Sequence, residues 1–340
     1  MTGAAWAAAV WLALAGAAMA EPTYTILSYD DLDGWAEDDH AAALDVFTQT
    51  CGDISRTDWA RLCAFAKDGP AARDFFETFF KPVLIEDGTP MLFTGYYEPE
   101  LRGSLTPSDV YRYPLYRLPE DGRAGVFSRR EIEEDRPFAG SEIAWLADPV
   151  DKFFLQIQGS GRIRLPDGTR IRVGYAGKNG RDYTSVGQAL VERGVFTLEE
   201  VSATTIRDWV RANPEEGQAL LWLNESYVYF REVSQVPADR GPLGAMNRSI
   251  TAMRTIAVDP EITLLGAPVW IEKDGRDPLR RLMVAQDTGS AITGAQRADV
   301  FYGTGRAAGE AAGDIKDGGR MIVLMPIDYA LSKTEPEVVF

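Results

Sequence analysis

Along the chain, apolar residues recur first at helical spacing and then at strand spacing. Residues 38–50 and 56–67 carry apolar positions three and four apart and read as helices. Residues 71–80 do the same, with Phe75, Phe76, Phe79 and Phe80 as a core-facing stripe, Pro70 at the start and Pro82 beyond the end. From Leu92 the pattern shortens to β-like runs: LFTGYY, DKFFLQIQG, RIRL, TRIRV, YVYF, APVWIE, RLMVAQD and RMIVLMP. The PDG between RIRL and TRIRV is a hairpin signal, because Pro, Asp and Gly each favour a tight turn. Helical patterning returns at 186–193 and 204–212. These patterns predict a mainly β protein with helices at its edges. The lack of strand–helix–strand alternation argues against a doubly wound parallel sheet.

The length, 340 residues, leaves room for two domains. A net charge of −16 disfavours nucleic acid as a partner, since binding phosphates requires Lys and Arg to displace counterions. The acidity is uneven: residues 21–150 hold 26 acids and 12 bases, whereas residues 151–340 hold 25 and 23. Within the second part, residues 162–181 carry Arg162, Arg164, Arg170, Arg172, Lys178 and Arg181 against Asp167 alone. That stretch is expected to meet an anionic ligand. One histidine, His40, and two cysteines leave little material for a metal site, so neither metal nor cofactor is expected. His40 lies in an acidic stretch and is assigned no function. Any catalysis would rest on carboxylates, hydroxyls, amides or lysine.

The first twenty residues are uncharged, apolar and end in Ala18-Met19-Ala20, the form of an export signal cleaved after Ala20. An exported, periplasmic protein is therefore expected. No cysteine follows the run to carry a lipid, so any association with the outer membrane would need another means. Cys51 and Cys63 are twelve residues apart, which suits a disulfide between successive helices or a pair of buried thiols.

Three aspartates stand out near the end: Asp259, Asp287 and Asp299, each read as lying where a β-like run meets a Gly-containing turn. Clustered carboxylates repel when ionised, so one of them would hold its proton towards neutral pH and serve as an acid. Residue types alone also allow a plainer role as turn-makers.

The order of the surrounding words adds more. TIAVDPEITLLG, LMVAQDTGSAITG and RADVFYGTG resemble the "3D" domain of the MltA-type lytic transglycosylases, and FTGYYEPEL, FLQIQGSGRIRLPDGTRIRVGYAGKNG, YTSVGQALVERG and NESYVYFRE extend the resemblance upstream. It implies a double-psi β-barrel from residues 21–100 and 236–340, containing the aspartate region at 256–330. A second β-domain, at 101–235, would be inserted into it, with peripheral N-terminal helices and a glycan groove between the two. It implies cleavage of the MurNAc-β-1,4-GlcNAc bond of peptidoglycan without added water, leaving 1,6-anhydromuramyl ends. Asp299 matches the family's single general acid/base, and Asp287 and Asp259 match its other two aspartates, read here as supporting carboxylates. Glycan strands are the implied partner, a wall-remodelling complex a further one, and the protein is expected to act as a monomer.

Expected substrate contacts are Thr94 and Tyr96 on an edge strand, and Gln156 and Gln158 two apart on one strand face. Gly159 and Ser160 in the GSG word, Lys178 and Asn179 in a loop, and Tyr302 near the acid complete the set. Two other readings stay open: an inverting glycoside hydrolase with an Asp287/Asp299 pair, and a non-catalytic, expansin-like glycan-binding module.

Overall fold

The structure is a computed structural model that describes residues 21–54 and 56–334; the expected export signal at 1–20 lies outside the described residues. Two sheets divide the chain. The first begins with β1 (Thr23–Ile26), β2 (Phe80–Glu86) and β3 (Leu92–Glu98). The chain then leaves it to form β4 (Glu100–Ser104), β5 (Tyr113–Tyr116), β6 (Glu142–Leu146), β7 (Ser160–Arg164), β8 (Arg170–Lys178) and β9 (Val228–Glu232). It returns with β10 (Thr255–Val258), β11 (Pro268–Lys273), β12 (Leu279–Asp287), β13 (Arg297–Thr304) and β14 (Gly319–Pro326). The eight-stranded sheet has the order β1-β2-β14-β11-β12-β10-β13-β3, and the six-stranded one β5-β6-β4-β7-β8-β9. The molecule is thus mainly β with two sheet domains, one interrupting the other. Among the described residues the eight-stranded ladder has β1 and β3 at its ends; a single antiparallel bridge, Phe93–Asp317, ties β3 to the segment that enters β14, and no continuous ladder completes the expected barrel.

The N-terminal helices fall close to the positions that the periodicity predicts: α1 (His40–Thr50), α2 (Thr57–Lys67) and α3 (Ala72–Phe79). Their rings pack together, with Phe47, Trp59, Phe75, Phe76 and Phe80 all buried against one another. Cys51 and Cys63 form a disulfide with Cα atoms 5.4 Å apart, joining the end of α1 to α2. His40 is buried, with its ring edge-on to Trp35.

One expected strand is a helix. Residues 151–159 read as β, but the chain forms α4 (Arg129–Glu134) and then α5 (Pro149–Gln158). Asp148 caps the second helix by accepting from the Val150 N–H, Pro149 opens it, and Gly159 closes it at φ 75°. The apolar run FFL is buried almost all round, so it carries no clear period and mimics a strand. The insert continues with α6 (Val186–Glu192), α7 (Ala203–Ala212) and α8 (Pro214–Trp222). The first domain ends with α9 (Arg306–Ala312), packed on β3 and β13, and α10 (Ile327–Thr334).

The topology places a row of four residues across four adjacent strands. Asp287 on β12 pairs in register with Ala257 on β10, Ala257 with Asp299 on β13, and Asp299 with Thr94 on β3. The β10–β12 and β13–β3 pairings are parallel, unlike most of the sheet, so residues far apart in sequence meet at one level.

Candidate active site

Asp299 lies inside β13, not at the strand-to-turn junction expected for it. A strand interior holds its side chain on a defined face, together with Phe301 and opposite Val300. Its Oδ1 accepts from the Thr94 hydroxyl at 2.8 Å. Its Oδ2 receives no donor among the described residues. Asp287, the last residue of β12, is more fully engaged: Oδ2 accepts from the Tyr96 hydroxyl at 2.9 Å, and Oδ1 from the N–H groups of Thr288 and Ala245 at 2.9 and 3.1 Å.

An apolar cluster of Tyr96, Ile250, Ala257, Ile292 and Phe301 surrounds the two carboxyls, with the Tyr96 and Phe301 rings 5.2 Å apart. Both aspartates keep a partly exposed edge, yet loss of water around them dominates. Burial raises each to about 6. For Asp299 the Thr94 hydroxyl and the Arg297 charge pull back down, and the Asp287 charge adds a small upward push. Repulsion between carboxylates, the expected cause, is therefore the minor one. At a pKa near 6 a carboxyl can both give and take a proton close to neutrality.

Asp259 stands apart from this pair. It follows β10, where its Oδ2 accepts from the Gly294 N–H at 2.8 Å and its Oδ1 from the Glu261 N–H at 3.0 Å. It thereby clips the loop between β12 and β13.

Several expected contacts are placed elsewhere. Gln156 and Gln158 lie on α5, where residues two apart point to different sides. Gln156 is buried and bonded to Arg129 and to the Val228 carbonyl at 3.2 Å. Gln158 accepts from the Tyr97 N–H at 2.9 Å and so ties the insert to β3. Gly159 serves the left-handed helix end, and Ser160 is buried at the start of β7. Asn179 is buried with both its ends occupied: it donates to the carbonyls of Phe127 and Glu225 and accepts from the Tyr227 N–H, at 3.0, 2.9 and 2.9 Å. Lys178 is the exposed last residue of β8, not a loop residue. Tyr302, three along the strand from Asp299, turns to the opposite face and packs on the main core; burial pushes its hydroxyl up to about 12.

Three of the six basic residues of the stretch are paired within the protein. Arg162 and Arg172 both grip the buried Glu98 carboxylate, at 2.8 and 2.7 Å, and Arg170 pairs with Glu100 at 2.8 Å. Glu98 also accepts from the Thr304 hydroxyl at 2.8 Å, so one carboxylate joins the ends of β3 and β13 to β7 and β8 of the insert. Arg297 is a further group that sequence reading missed: its Nη2 donates to the Thr94 hydroxyl at 2.9 Å. A polar cavity of about 450 Å³ between α5, α7 and α9, lined by Tyr97, Arg207 and Arg306, lies on the other face of β3 from Thr94.

Comparison with known proteins agrees with this layout. Residues 92–231 match the family model of the MltA specific insert domain, and residues 254–325 that of the 3D domain. The chain is 36% identical over 240 residues to a membrane-bound lytic murein transglycosylase A of Escherichia coli K12, and 32% identical over 243 residues to that of Vibrio cholerae. These matches cover 68% of this chain and span 65% and 64% of those relatives, slightly less than two thirds of their length. A crystal structure of a membrane-bound lytic murein transglycosylase from Agrobacterium tumefaciens superposes with a TM-score of 0.82 at 33% identity, covering 92% of this chain and 99% of that one. Escherichia coli MltA with bound chitohexaose gives 0.74 at 27% identity, covering 89% and 94%.

Proposed function

This chain belongs to the MltA family of lytic murein transglycosylases, and from that premise we propose that it cleaves the MurNAc-β-1,4-GlcNAc bond of peptidoglycan without adding water. The carrying observation is Asp299: a carboxyl raised to about 6, held through Oδ1 by Thr94, with Oδ2 left without a donor among the described residues. In the protonated form Oδ2 gives its proton to the glycosidic oxygen, and the bond from that oxygen to the muramyl C1 breaks. The muramyl C6 hydroxyl attacks C1 and passes its proton to the Asp299 carboxylate, which restores the acid and leaves a 1,6-anhydro ring. One carboxyl suffices because the nucleophile belongs to the substrate; a hydrolase needs a second carboxylate to activate water or form a covalent bond. A positioned acid of this kind supplies ~10²–10⁴-fold in rate.

Asp287 supports the acid and does not compete with it. Three donors occupy its oxygens, which suits anchoring of Tyr96 better than activation of a water. That occupancy favours the transglycosylase over the paired-carboxylate hydrolase. We assign residues 21–100 and 236–340 to a double-psi barrel domain and 101–235 to the insert, with the glycan lying between them. The parallel β10–β12 and β13–β3 pairs among antiparallel strands support that barrel reading. The protein would work as a monomer in the periplasm on glycan strands, alone or within a wall-remodelling complex. Incubation with purified sacculi tests the enzymatic reading: soluble muropeptides should be released. Binding without release would leave only a glycan-binding module.

A further inference from the structure

We propose that Arg297 is a positioning residue that sets the direction of the Thr94–Asp299 hydrogen bond and so decides which carboxyl oxygen carries the proton. The inference rests on the reading of Asp299 as the acid. Arg297 and Asp299 are two apart on β13 and share a face, and their register partners on β3 are Leu92 and Thr94. The guanidinium is held by backbone on both strands: Nη1 donates to the carbonyls of Ala298 and Leu92, at 2.7 and 3.3 Å. Nη2 is thereby aimed at the Thr94 oxygen, 2.9 Å away.

A guanidinium has donors only, so the Thr94 oxygen accepts from it. The hydroxyl's single hydrogen then has Asp299 Oδ1 as its acceptor, at 2.8 Å. With Oδ1 committed as an acceptor, the acid proton sits on Oδ2, the oxygen free to face a substrate. After that proton leaves, the same hydrogen bond and the arginine's charge stabilise the carboxylate, which Oδ2 then uses to collect the next proton. The relay therefore serves both halves of the cycle while touching no substrate atom.

The charged and titratable groups around Asp299 are few. From β3 comes Tyr96, beside the neutral Thr94 hydroxyl, from β12 Asp287, and from β13 Arg297 itself and, on the strand's other face, Tyr302; β10 contributes the apolar Ala257. α9 packs against the opposite face of β3, where Ala312 and the Tyr302 ring meet Gly95, so its Arg306 and Glu310 do not face the acid. Arg297 is thus the one cation in the set, opposing the upward push from burial and from Asp287.

The test follows the Asp299 carboxyl by ¹³C NMR titration in the full chain, for wild type, R297Q and R297K. R297Q should raise the titration midpoint by about 1 unit, and R297K, which keeps the charge, by less. On sacculi, R297Q should lower kcat by about tenfold with KM little changed, and move the alkaline limb of the pH profile upward with the NMR midpoint. Adding R297Q to T94V should cost less than the product of the two single losses, because the relay is already broken and only the arginine's charge remains to be lost. An Asp299 midpoint in R297Q equal to wild type, or losses that multiply in the double variant, would overturn the proposal. Full activity of D299N would instead count against Asp299 as the acid, while the NMR midpoints still decide whether Arg297 governs its protonation.

Discussion

Thr94 and Asp299 lie 205 residues apart in sequence and face each other directly across the β3–β13 pair, hydroxyl to carboxylate at 2.8 Å. The pairing is parallel, so it depends on the whole insert being looped out between the two strands. The inserted domain and the Thr94–Asp299 contact are in that sense linked: β3, which carries Thr94, leads into the insert, and β13, which carries Asp299, follows it.

Replacing Thr94 with Val keeps the size and removes the donor. A hydrogen bond to a charged group is worth about 1.5–3 kcal/mol, so kcat should fall roughly 10–100-fold. The Asp299 carboxylate loses its partner, and the alkaline limb of kcat/KM should move up from near pH 6. A profile unchanged in both height and midpoint would show that Thr94 has no part in the chemistry.

The raised carboxyls also shape stability. Asp287 and Asp299 are near 6 in the folded state, against the 3.8 of an ordinary aspartate. Between those values the folded state binds more protons than the unfolded one, so their contribution is full below about pH 4 and is lost as pH rises through about 6. D299N, which cannot ionise, should therefore melt a few degrees above wild type at pH 7.5 and at nearly the same temperature at pH 4. Melting curves at the two pH values check the sign; a D299N advantage confined to pH 4 would reverse it.

Glu98 carries the junction between the domains. Glu98→Gln leaves Arg162 and Arg172 without their shared buried counter-charge, and losing one partner of such a cluster costs about 3–5 kcal/mol. A lower melting temperature should come with a KM that rises more than kcat falls, because the groove walls lose their common anchor while the acid keeps its own. Calorimetry together with steady-state rates on sacculi would show this. A loss confined to kcat, with a shifted pH limb and an unchanged KM, would place Glu98 in the chemistry instead.

The Cys51–Cys63 disulfide closes a short loop between α1 and α2, beside the contact in which Gln286 of β12, next to Asp287, donates to the Thr50 hydroxyl at 3.1 Å and the Val46 carbonyl at 3.2 Å. Changing both to Ala should lower stability by about 2–4 kcal/mol and leave kcat within about twofold. A large loss of kcat at a temperature where the variant is fully folded would show that the disulfide holds Asp287 in place through the Thr50–Gln286 contact.

What the sequence disclosed follows from where each signal is local. The phenylalanine stripe of α3, the RIRL-PDG-TRIRV hairpin and the runs of β11, β12 and β14 are set by nearest neighbours, and all form close to their expected places. α5 misled because Phe153, Phe154, Leu155 and Gln156 are all buried, which erases the helical period; Asp148-Pro149 and Gly159 were the overlooked cues. Asn179 looked like a loop residue awaiting a ligand, because its partners at Phe127, Glu225 and Tyr227 are 46–52 residues away. Arg297 carries no distinguishing signal in the sequence. Its function depends on a carbonyl and a hydroxyl from β3, which no spacing within β13 reveals.

Cleavage driven by Asp299 without water leaves an isotopic record in the products. Sacculi digested by the wild-type protein in ¹⁸O-labelled water should yield, by mass spectrometry, 1,6-anhydromuramyl ends with no ¹⁸O incorporated, and D299N should yield almost none. Reducing ends carrying ¹⁸O, or anhydro products made by D299N at the wild-type rate, would contradict it.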